Sequence, residues 1–374
     1  MTGKRTAESL AKADAPTIRG VRTRAVEVPM TYVLGTSAGA IRSAPLLLVD
    51  LETEEGVTGR SYLFCFYAGG ARPMANVLAD AVEMVKGARV APADIAALMA
   101  RRFLLIGVTG VVRMALSALD AALWDALAIA AGRPLAALLG SAPRRIPAYN
   151  SNGLGLMGPQ ATAEEALKMV AEGFKAVKLR LGYKTLQEDV AVTRAVRRAL
   201  PDDVTLMTDY NQALDLPEAL RRGRALQDEG IYWIEEPIRH DDYAGSAALA
   251  RELSVAIQIG ENFNGPQAMA EALAADACDL VMPDLARIGG VTGWMQAAGL
   301  AAASGIPMSS HLFSETSAHL LAATPTCHWL EYMDWANALV QEPLEIADGC
   351  AVVPDRAGCG LVWDEAAVTK YQIA

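Results

Sequence analysis

The chain has 374 residues, of which 52% are hydrophobic and 20% charged, and its net charge is −10. This length suits a barrel with a companion domain, and the apolar content excludes a largely disordered chain. The acidic balance excludes a nucleic-acid-binding role that depends on a basic surface. The five cysteines show no CxxC spacing, and no apolar segment is long enough to span a membrane. We therefore expect reduced thiols, no membrane partner and a cytoplasmic location.

The N-terminal third of the sequence predicts a loose start followed by an α+β domain. Residues 1–16 have no apolar signal core and predict a loose segment. Within residues 17–146, Val21 to Val28 alternates like a strand, and Ala44 to Leu51 reads as a buried strand. A helix is predicted from Met114 to Ala131, where Gly132-Arg133-Pro134 ends it. We expect this α+β domain to cover a second unit.

From residue 147 to residue 355, short apolar runs alternate with amphipathic helices. Such alternation predicts parallel β/α units and therefore an α/β barrel. The predicted strands are AVKLRL, TLMTDYN, YWIEEP, AIQIGE, LVMPD, PMSSH and HWLEYM. The predicted helices include Asp189 to Leu200, Pro217 to Asp228, Tyr243 to Leu253 and Gly289 to Ala303. We expect residues 356–374 to return to the first domain.

Each predicted strand ends in a polar or charged residue. These residues are Lys178, Arg180, Asp209, Glu235, Glu261, Asp284, His311 and Glu331. They recur about once per β/α unit, because a barrel places eight units in roughly 200 residues. The carboxyl ends of the strands form the rim where barrel active sites lie, so we expect these side chains to converge there.

Three of these strand-end residues, Asp209, Glu235 and Glu261, are carboxylates on adjacent strands. Converging negative charges repel one another unless a cation compensates them. Three oxygen ligands with open positions suit a hard cation, so the sequence predicts a Mg²⁺ site. The alternative is that each carboxylate pairs with a nearby Lys or Arg.

The remaining strand-end residues predict acid–base and carboxylate-binding groups. Asp284 and His311 end neighbouring strands, so the carboxylate is expected to fix the imidazole tautomer in a general-base dyad. Lys178 and Arg180 alternate with Leu179 and are expected to point into the barrel and hold a substrate carboxylate. Glu331, flanked by apolar residues, is expected to be protonated and to donate a hydrogen bond, or else to form a rim salt bridge.

Together these groups address one chemical problem. A proton beside a carboxylate is very weakly acidic, because its removal places a second negative charge on the same group. A metal, a lysine and a protonated glutamic acid that grip the carboxylate would stabilise the resulting enediolate. A base on one or both faces would then transfer the proton.

The chain resembles the enolase superfamily, in particular its mandelate racemase subgroup, from about Thr17 to the C-terminus. The motifs that carry the resemblance are AVKLR, TDYNQ, WIEEP, IGEN, MPDLARIGGVTGW, IPMSSHLF and ATPTCHWLE. The resemblance implies an α+β capping domain on a modified (β/α)7β TIM-type barrel, and it implies a homo-oligomer. It also implies the metal, base and carboxylate-binding roles given above, and it places Asn211 near the metal and the substrate hydroxyl.

The resemblance further implies that capping-domain loops set the substrate specificity. The pocket residues expected from it are Leu34, Ile41, Phe64 and Phe66 from the capping domain, and Leu312 and Met333 from the barrel. Such an apolar pocket favours an aryl or apolar 2-hydroxy acid over a sugar acid, because each buried hydroxyl needs a partner. Arg42 is the one polar residue close enough in sequence to these pocket positions to weaken the preference for an apolar substrate.

Two positions depart from the racemase pattern. The pattern has two lysines in a KxK arrangement, whereas this sequence has Lys178-Leu179-Arg180, and a guanidinium rarely releases its proton. The pattern also has a substrate-orienting serine where this sequence has Gly153.

Three functional hypotheses follow from the sequence. The first is a racemase or epimerase of a 2-hydroxy acid, in which Arg180 acts on the second face. The second is a one-base dehydratase, in which His311 abstracts the proton and Arg180 only binds. The third is a catalytically silent metal-binding barrel.

Overall fold

The computed structural model describes residues 15–37 and 39–373. The loose segment expected at residues 1–16 therefore falls largely outside the described residues. Within the described ranges, no helix has both the length and the apolar character needed to cross a membrane.

The first part of the chain forms a three-stranded antiparallel sheet with helices packed against it. The strands are β1 (Ile18–Thr36), β2 (Gly39–Thr53) and β3 (Thr58–Phe64), with β2 in the middle. The helices are α1 (Ala71–Glu83), α2 (Pro92–Arg102), α3 (Gly110–Ala130) and α4 (Leu135–Leu138). The predicted run from Ala44 to Leu51 is buried along its whole length. It occupies the central strand, where both faces are covered, and this explains its lack of alternation.

The second part is a barrel of parallel strands. They are β4 (Arg145–Asn150), β5 (Ala176–Arg180), β6 (Thr205–Asp209), β7 (Ile231–Glu235), β8 (Ala256–Ile259), β9 (Leu280–Val281) and β10 (Leu330–Tyr332). The segment from Met308 to His311 stands between β9 and β10 and pairs through single bridges, such as Val281 with Met308. β10 then pairs with β4 and closes the ring.

Helices connect the successive barrel strands. They are α5 (Pro159–Ala171), α6 (Leu186–Ala199), α7 (Leu216–Leu226), α8 (Tyr243–Glu252), α9 (Pro266–Ala274), α10 (Leu285–Ile288), α11 (Gly290–Ser304) and α12 (Ser314–Ala322). The last barrel strand is followed by the hairpin β11 (Ile346–Ala347) and β12 (Cys350–Val352) instead of a further barrel helix. The expected α/β fold, a capping domain on a (β/α)7β barrel, is confirmed.

Local sequence explains where the barrel helices begin. Thr185 and Glu188 form a capping box at the start of α6, and Asp215 and Asp242 accept backbone N–H groups at the starts of α7 and α8. The predicted helix from Asp189 to Leu200 is confirmed, but it begins at Leu186. The apolar pattern places the start of the helix three residues too late, because the capping box of Thr185 and Glu188 precedes that pattern.

The C-terminal residues lie against the first sheet. Helix α13 (Glu365–Tyr371) is followed by Ile373, whose N–H donates to the Ala25 carbonyl at 3.0 Å. Just before this helix, the Trp363 indole N–H donates to Asp50 Oδ1 at 2.7 Å. Asp50 is buried and also pairs with Arg24 at 2.8 Å. The chain end is therefore tied to the capping sheet by a buried polar cluster.

The far end of the β1–β2 hairpin reaches over the barrel. The Leu156 N–H, which follows the end of β4, donates to the Gly35 carbonyl at 3.3 Å. A Cβ atom on Gly155 would lie 2.7 Å from Gly35 N, so this approach of the two backbones requires glycine at residue 155. The first domain thus covers the carboxyl ends of the barrel strands.

Candidate active site

A cavity of about 140 Å³ lies between the capping domain and the carboxyl ends of the barrel strands. Its lining includes most of the residues that the sequence singled out. These are Leu34, Ile41, Phe64, Phe66, Lys178, Arg180, Asp209, Asn211, Glu261, His311, Leu312, Glu331 and Met333. Glu235 and Asp284 do not line the cavity, but each contacts a residue that does.

The three carboxylates predicted to hold a metal lie together. Each of Asp209, Glu235 and Glu261 offers an oxygen atom, and these three oxygens lie within 4.8 Å of one another. Asp209 is oriented by Asn211, whose backbone and side-chain N–H groups donate to it at 2.8 and 3.1 Å. Burial and the neighbouring charge of Asp209 raise the pKa of Glu235 well above its usual range. Three carboxylates crowded in this way form a donor set that suits a hard divalent cation.

Lys178 is the cation among these carboxylates. It is almost fully buried, and its Nζ lies 2.6 Å from Glu235, 2.8 Å from Glu331 and 3.1 Å from Asp209. Leu179, between Lys178 and Arg180, packs in the apolar core, as the alternation predicts. The alternative of carboxylates paired with a basic residue therefore applies to two members of the trio. Glu261 instead lies 3.2 Å from His311 Nε2.

His311 and Asp284 form the expected pair. The Asp284 carboxylate lies 2.6 Å from His311 Nδ1, and its other oxygen accepts the N–H groups of Ala286 and Arg287. Asp284 therefore both caps helix α10 and orients the imidazole. Burial alone would lower the pKa of His311, but Glu261, Glu331 and Asp284 raise it to about 9.

Glu331 differs from the sequence expectation, because in this arrangement it accepts hydrogen bonds. It accepts from Ser151 Oγ at 2.7 Å and from the Leu312 N–H at 3.0 Å, and Lys178 lies beside it. Burial opposes ionisation, but the charges of Lys178 and His311 outweigh it and hold the pKa of Glu331 below its usual range. These contacts correspond to the salt-bridge alternative for Glu331. The sequence showed the apolar flanks of Glu331 but not the lysine that faces it.

Arg180 is buried and held by two acceptors. Its guanidinium donates to the Gly153 carbonyl at 3.0 Å and to Ser151 Oγ at 3.1 Å. A side chain at residue 153 would not fit, since a Cβ atom there would lie 2.0 Å from Glu165 Oε1. Ser151, two residues before Gly153, instead supplies a hydroxyl that contacts both Arg180 and Glu331.

The upper walls of the cavity are apolar and aromatic. The rings of Phe64 and Phe66 lie 4.6 Å apart, and the Trp335 ring lies 4.5 Å from Phe64. Thr36 adds a hydroxyl to the lining, whereas Arg42 is exposed and is not a lining residue. The polar groups of the cavity are therefore concentrated at its barrel end.

Sequence reasoning missed several residues of this site. Ser151 follows the first barrel strand, so the strand-end rule would have found it had that strand been included. Trp335 lies in a turn and Thr36 ends β1, and neither position carries such a signal. Glu236 and Asn262 each follow a predicted metal ligand, and Asn262 Nδ2 donates to Glu236 at 2.8 Å and to Glu261 at 3.2 Å.

Comparison with protein families covers most of the chain. Residues 18–140 match the family described as "Mandelate racemase / muconate lactonizing enzyme, N-terminal domain". Residues 161–367 match the family described as "Enolase C-terminal domain-like".

Individual relatives include both isomerases and a dehydratase. The 3,6-anhydro-alpha-L-galactonate cycloisomerase of Streptomyces coelicolor is 34% identical over 93% of this chain and 97% of its own. The L-talarate/galactarate dehydratase of Salmonella typhimurium is 33% identical over 86% of this chain and 81% of its own. An enolase from Bradyrhizobium, solved with magnesium and mandelic acid, is 42% identical with a TM-score of 0.92, covering 96% of this chain and 99% of that one.

The family matches of both domains, the observed fold and the sequence identities all indicate the same family. The chain belongs to the mandelate racemase and muconate lactonizing enzyme family of the enolase superfamily.

Proposed function

We propose that this protein is a Mg²⁺-dependent enzyme that removes the α-proton of a 2-hydroxy carboxylate with an aryl or apolar substituent. We propose further that it is a racemase or epimerase of such acids. The observation that supports this most directly is that Asp209 and Glu261, two of the three clustered carboxylates, line one small cavity together with His311, and that the upper walls of this cavity are apolar.

In this proposal Asp209, Glu235 and Glu261 hold the metal. Their close-set oxygens offer a hard cation the ligands it prefers, and the Bradyrhizobium relative was solved with magnesium. When bound, Mg²⁺ supplies Lewis-acid stabilisation of negative charge on the substrate carboxylate.

The chain's own residues carry the proton transfer. His311 Nε2 accepts the α-proton, and Asp284 at Nδ1 holds the imidazole in the required tautomer. Lys178 and Glu331 lie 2.8 Å apart and bind the substrate carboxylate as charge develops on it. A substrate carboxylate beside Glu331 adds negative charge there, which raises the pKa of Glu331 and favours a protonated, hydrogen-bond-donating form.

The substrate class is inferred from the cavity walls. Phe64, Phe66 and Trp335 offer ring faces to an aryl group, and the Bradyrhizobium relative was solved with mandelic acid. Two relatives are named for 3,6-anhydro-alpha-L-galactonate and for L-talarate or galactarate, which are more polar acids than mandelate. A sugar acid in this cavity would bury hydroxyl groups against apolar side chains, and each unpaired hydroxyl would weaken binding.

The second face of the substrate depends on Arg180. A racemase needs a group there that both gives and takes a proton. A guanidinium rarely releases its proton, so it rarely reaches the neutral form that could take one. The guanidinium of Arg180 donates to Gly153 and Ser151, and this observation favours a second candidate, the one-base dehydratase. In that case His311 acts alone and a β-hydroxyl leaves as water.

An exchange experiment separates the two candidates. Single enantiomers of mandelate and related acids are incubated with the protein and Mg²⁺ in D₂O, and α-deuterium and optical rotation are followed. A racemase incorporates deuterium from both enantiomers and loses rotation. Exchange from one enantiomer with retained rotation rejects the racemase, and a 2-keto acid formed from a 2,3-dihydroxy acid identifies the dehydratase. Lack of exchange on every acid tested would support the catalytically silent barrel.

A further inference from the structure

Arg287, which the proposed mechanism does not use, contacts three separate parts of the site. Its Nη1 donates to the Glu261 carbonyl at 3.0 Å and to Asn262 Oδ1 at 2.6 Å. Its guanidinium lies over the Phe66 ring, 5.1 Å from the centroid. Its backbone N–H donates to Asp284 Oδ1 at 3.1 Å.

The contacts of the Arg287 side chain fix the loop that carries Glu261. Asn262, held through its Oδ1 by Arg287, donates from Nδ2 to Glu261 Oε1 and to Glu236 Oε2. Glu236 is buried and would otherwise repel Glu261. The direction of the Glu261 carboxylate therefore depends on an amide whose own orientation is set by Arg287.

The other side of the guanidinium contacts the substrate cavity. Phe66 lines the cavity and belongs to a row of aromatic rings that continues through Phe64 to Trp335. A cation over the ring face favours one ring position. The same guanidinium thus holds the wall against which an apolar substituent would rest.

We propose that Arg287 is a positioning residue that links the Phe66 wall of the substrate cavity to the Glu261 metal ligand. It acts through Asn262 and does not touch the substrate. This inference rests on the proposed function, because it assigns Glu261 to metal binding.

The first test measures Mg²⁺ affinity directly. Full-length protein freed of metal with a chelator is titrated with MgCl₂ in a calorimeter. Removing a partner that orients a ligand typically weakens metal binding about 10–100-fold, so Arg287→Met should raise the Kd for Mg²⁺ by that factor. Arg287→Lys retains a cation and one donor and should recover part of the loss. Phe66→Leu removes the ring beneath the Arg287 guanidinium but leaves the hydrogen-bond partners of Arg287 in place, and it should weaken Mg²⁺ binding by about two- to fivefold.

Control variants and kinetics separate positioning from general damage. Arg239→Met removes an exposed arginine that pairs with the exposed Asp241, and it should leave the Mg²⁺ affinity unchanged. With mandelate at saturating Mg²⁺, Arg287→Met should both lower kcat for α-proton exchange and raise KM, whereas Phe66→Leu should mainly raise KM.

Each outcome of these measurements decides the proposal. A folded Arg287→Met protein with a Kd for Mg²⁺ within twofold of the wild type overturns it. If that variant does not fold, unchanged affinities in both Arg287→Lys and Phe66→Leu overturn it instead. A wild-type protein that binds Mg²⁺ but exchanges no acid rejects the proposed activity, while the titrations still decide the role of Arg287. A wild-type protein that does not bind Mg²⁺ rejects both.

Discussion

Replacing Lys178 with methionine tests how far one buried cation compensates the carboxylates of the site. Lys178 Nζ lies within 3.1 Å of Asp209, Glu235 and Glu331, and all four side chains are almost fully buried. Methionine preserves the bulk of the side chain but leaves three buried carboxylates without their cation. Removing one partner of a buried ion pair costs about 3–5 kcal/mol. We therefore expect the free energy of unfolding of the metal-free protein to fall by about 3–5 kcal/mol at pH 8.

The loss of stability in Lys178→Met should also depend on pH. Without Lys178 the carboxylates repel one another more strongly, so the pKa of Glu235 rises further and the pKa of Glu331 is no longer held below its usual range by the lysine. The native state then binds more protons than the unfolded state, and the loss of stability should grow as the pH rises from about 5 to 8.

Urea unfolding of chelator-treated protein, followed by circular dichroism, measures both effects. The matched control is Lys86→Met, which removes an exposed lysine 3.5 Å from Glu83 and should change the unfolding free energy by less than about 0.5 kcal/mol. A loss smaller than about 1 kcal/mol for Lys178→Met at pH 8 would refute the reasoning.

Four further predictions concern single side chains. His311→Asn should abolish deuterium exchange from the enantiomer whose α-proton faces it; retained exchange from both enantiomers would contradict its role as base. Arg180→Lys should preserve that exchange and raise the rate on the opposite enantiomer, whereas no gain would assign Arg180 to binding alone. Gly153→Ser should lower the unfolding free energy by about 1–3 kcal/mol, because residue 153 has a φ of +57° and its Cβ would clash with Glu165; an unchanged urea midpoint would contradict this. Burial lowers the pKa of His319 from 6.5 to about 4, so the stability that depends on its neutral form should be lost as the pH falls from about 6.5 to 4. The size is about 3 kcal/mol, at about 1.4 kcal/mol per pKa unit, and a His319→Gln variant that kept the same pH dependence of unfolding would exclude this explanation.

The barrel and its polar rim could be predicted because both follow from local pattern. Strand–helix alternation requires parallel strands, and parallel strands bring their carboxyl ends to one rim. Asp209, Glu261 and His311 were therefore placed together from their positions alone. The segment from Met308 to His311 was predicted as a strand, yet it pairs only through isolated bridges, because hydrogen-bond regularity depends on its neighbours.

Relations across the barrel could not be predicted in the same way. The ionised state of Glu331 depends on Lys178, which lies on a different strand and becomes its neighbour only when the ring closes. The role of Ser151 depends on the approach of both Arg180 and Glu331. Sequence pattern reports the direction of a side chain from its own strand, but it does not report which side chain lies opposite. The expected homo-oligomer and the assignment of site roles stay predictions.

The return of the chain end to the first sheet has a consequence for synthesis on the ribosome. The sheet that supplies Phe64, and that Phe66 follows in sequence, also contains the buried Asp50, which accepts a hydrogen bond from Trp363. Trp363 and the strand-like contact of Ile373 with Ala25 are made only after the whole barrel has been synthesised. The polar cluster of the sheet that is synthesised first is therefore completed only after the last residues of the chain have been synthesised. A nascent or truncated chain that ends before Trp363 would carry the full set of acid–base side chains but would lack the hydrogen bond that Trp363 donates to Asp50 in the capping sheet.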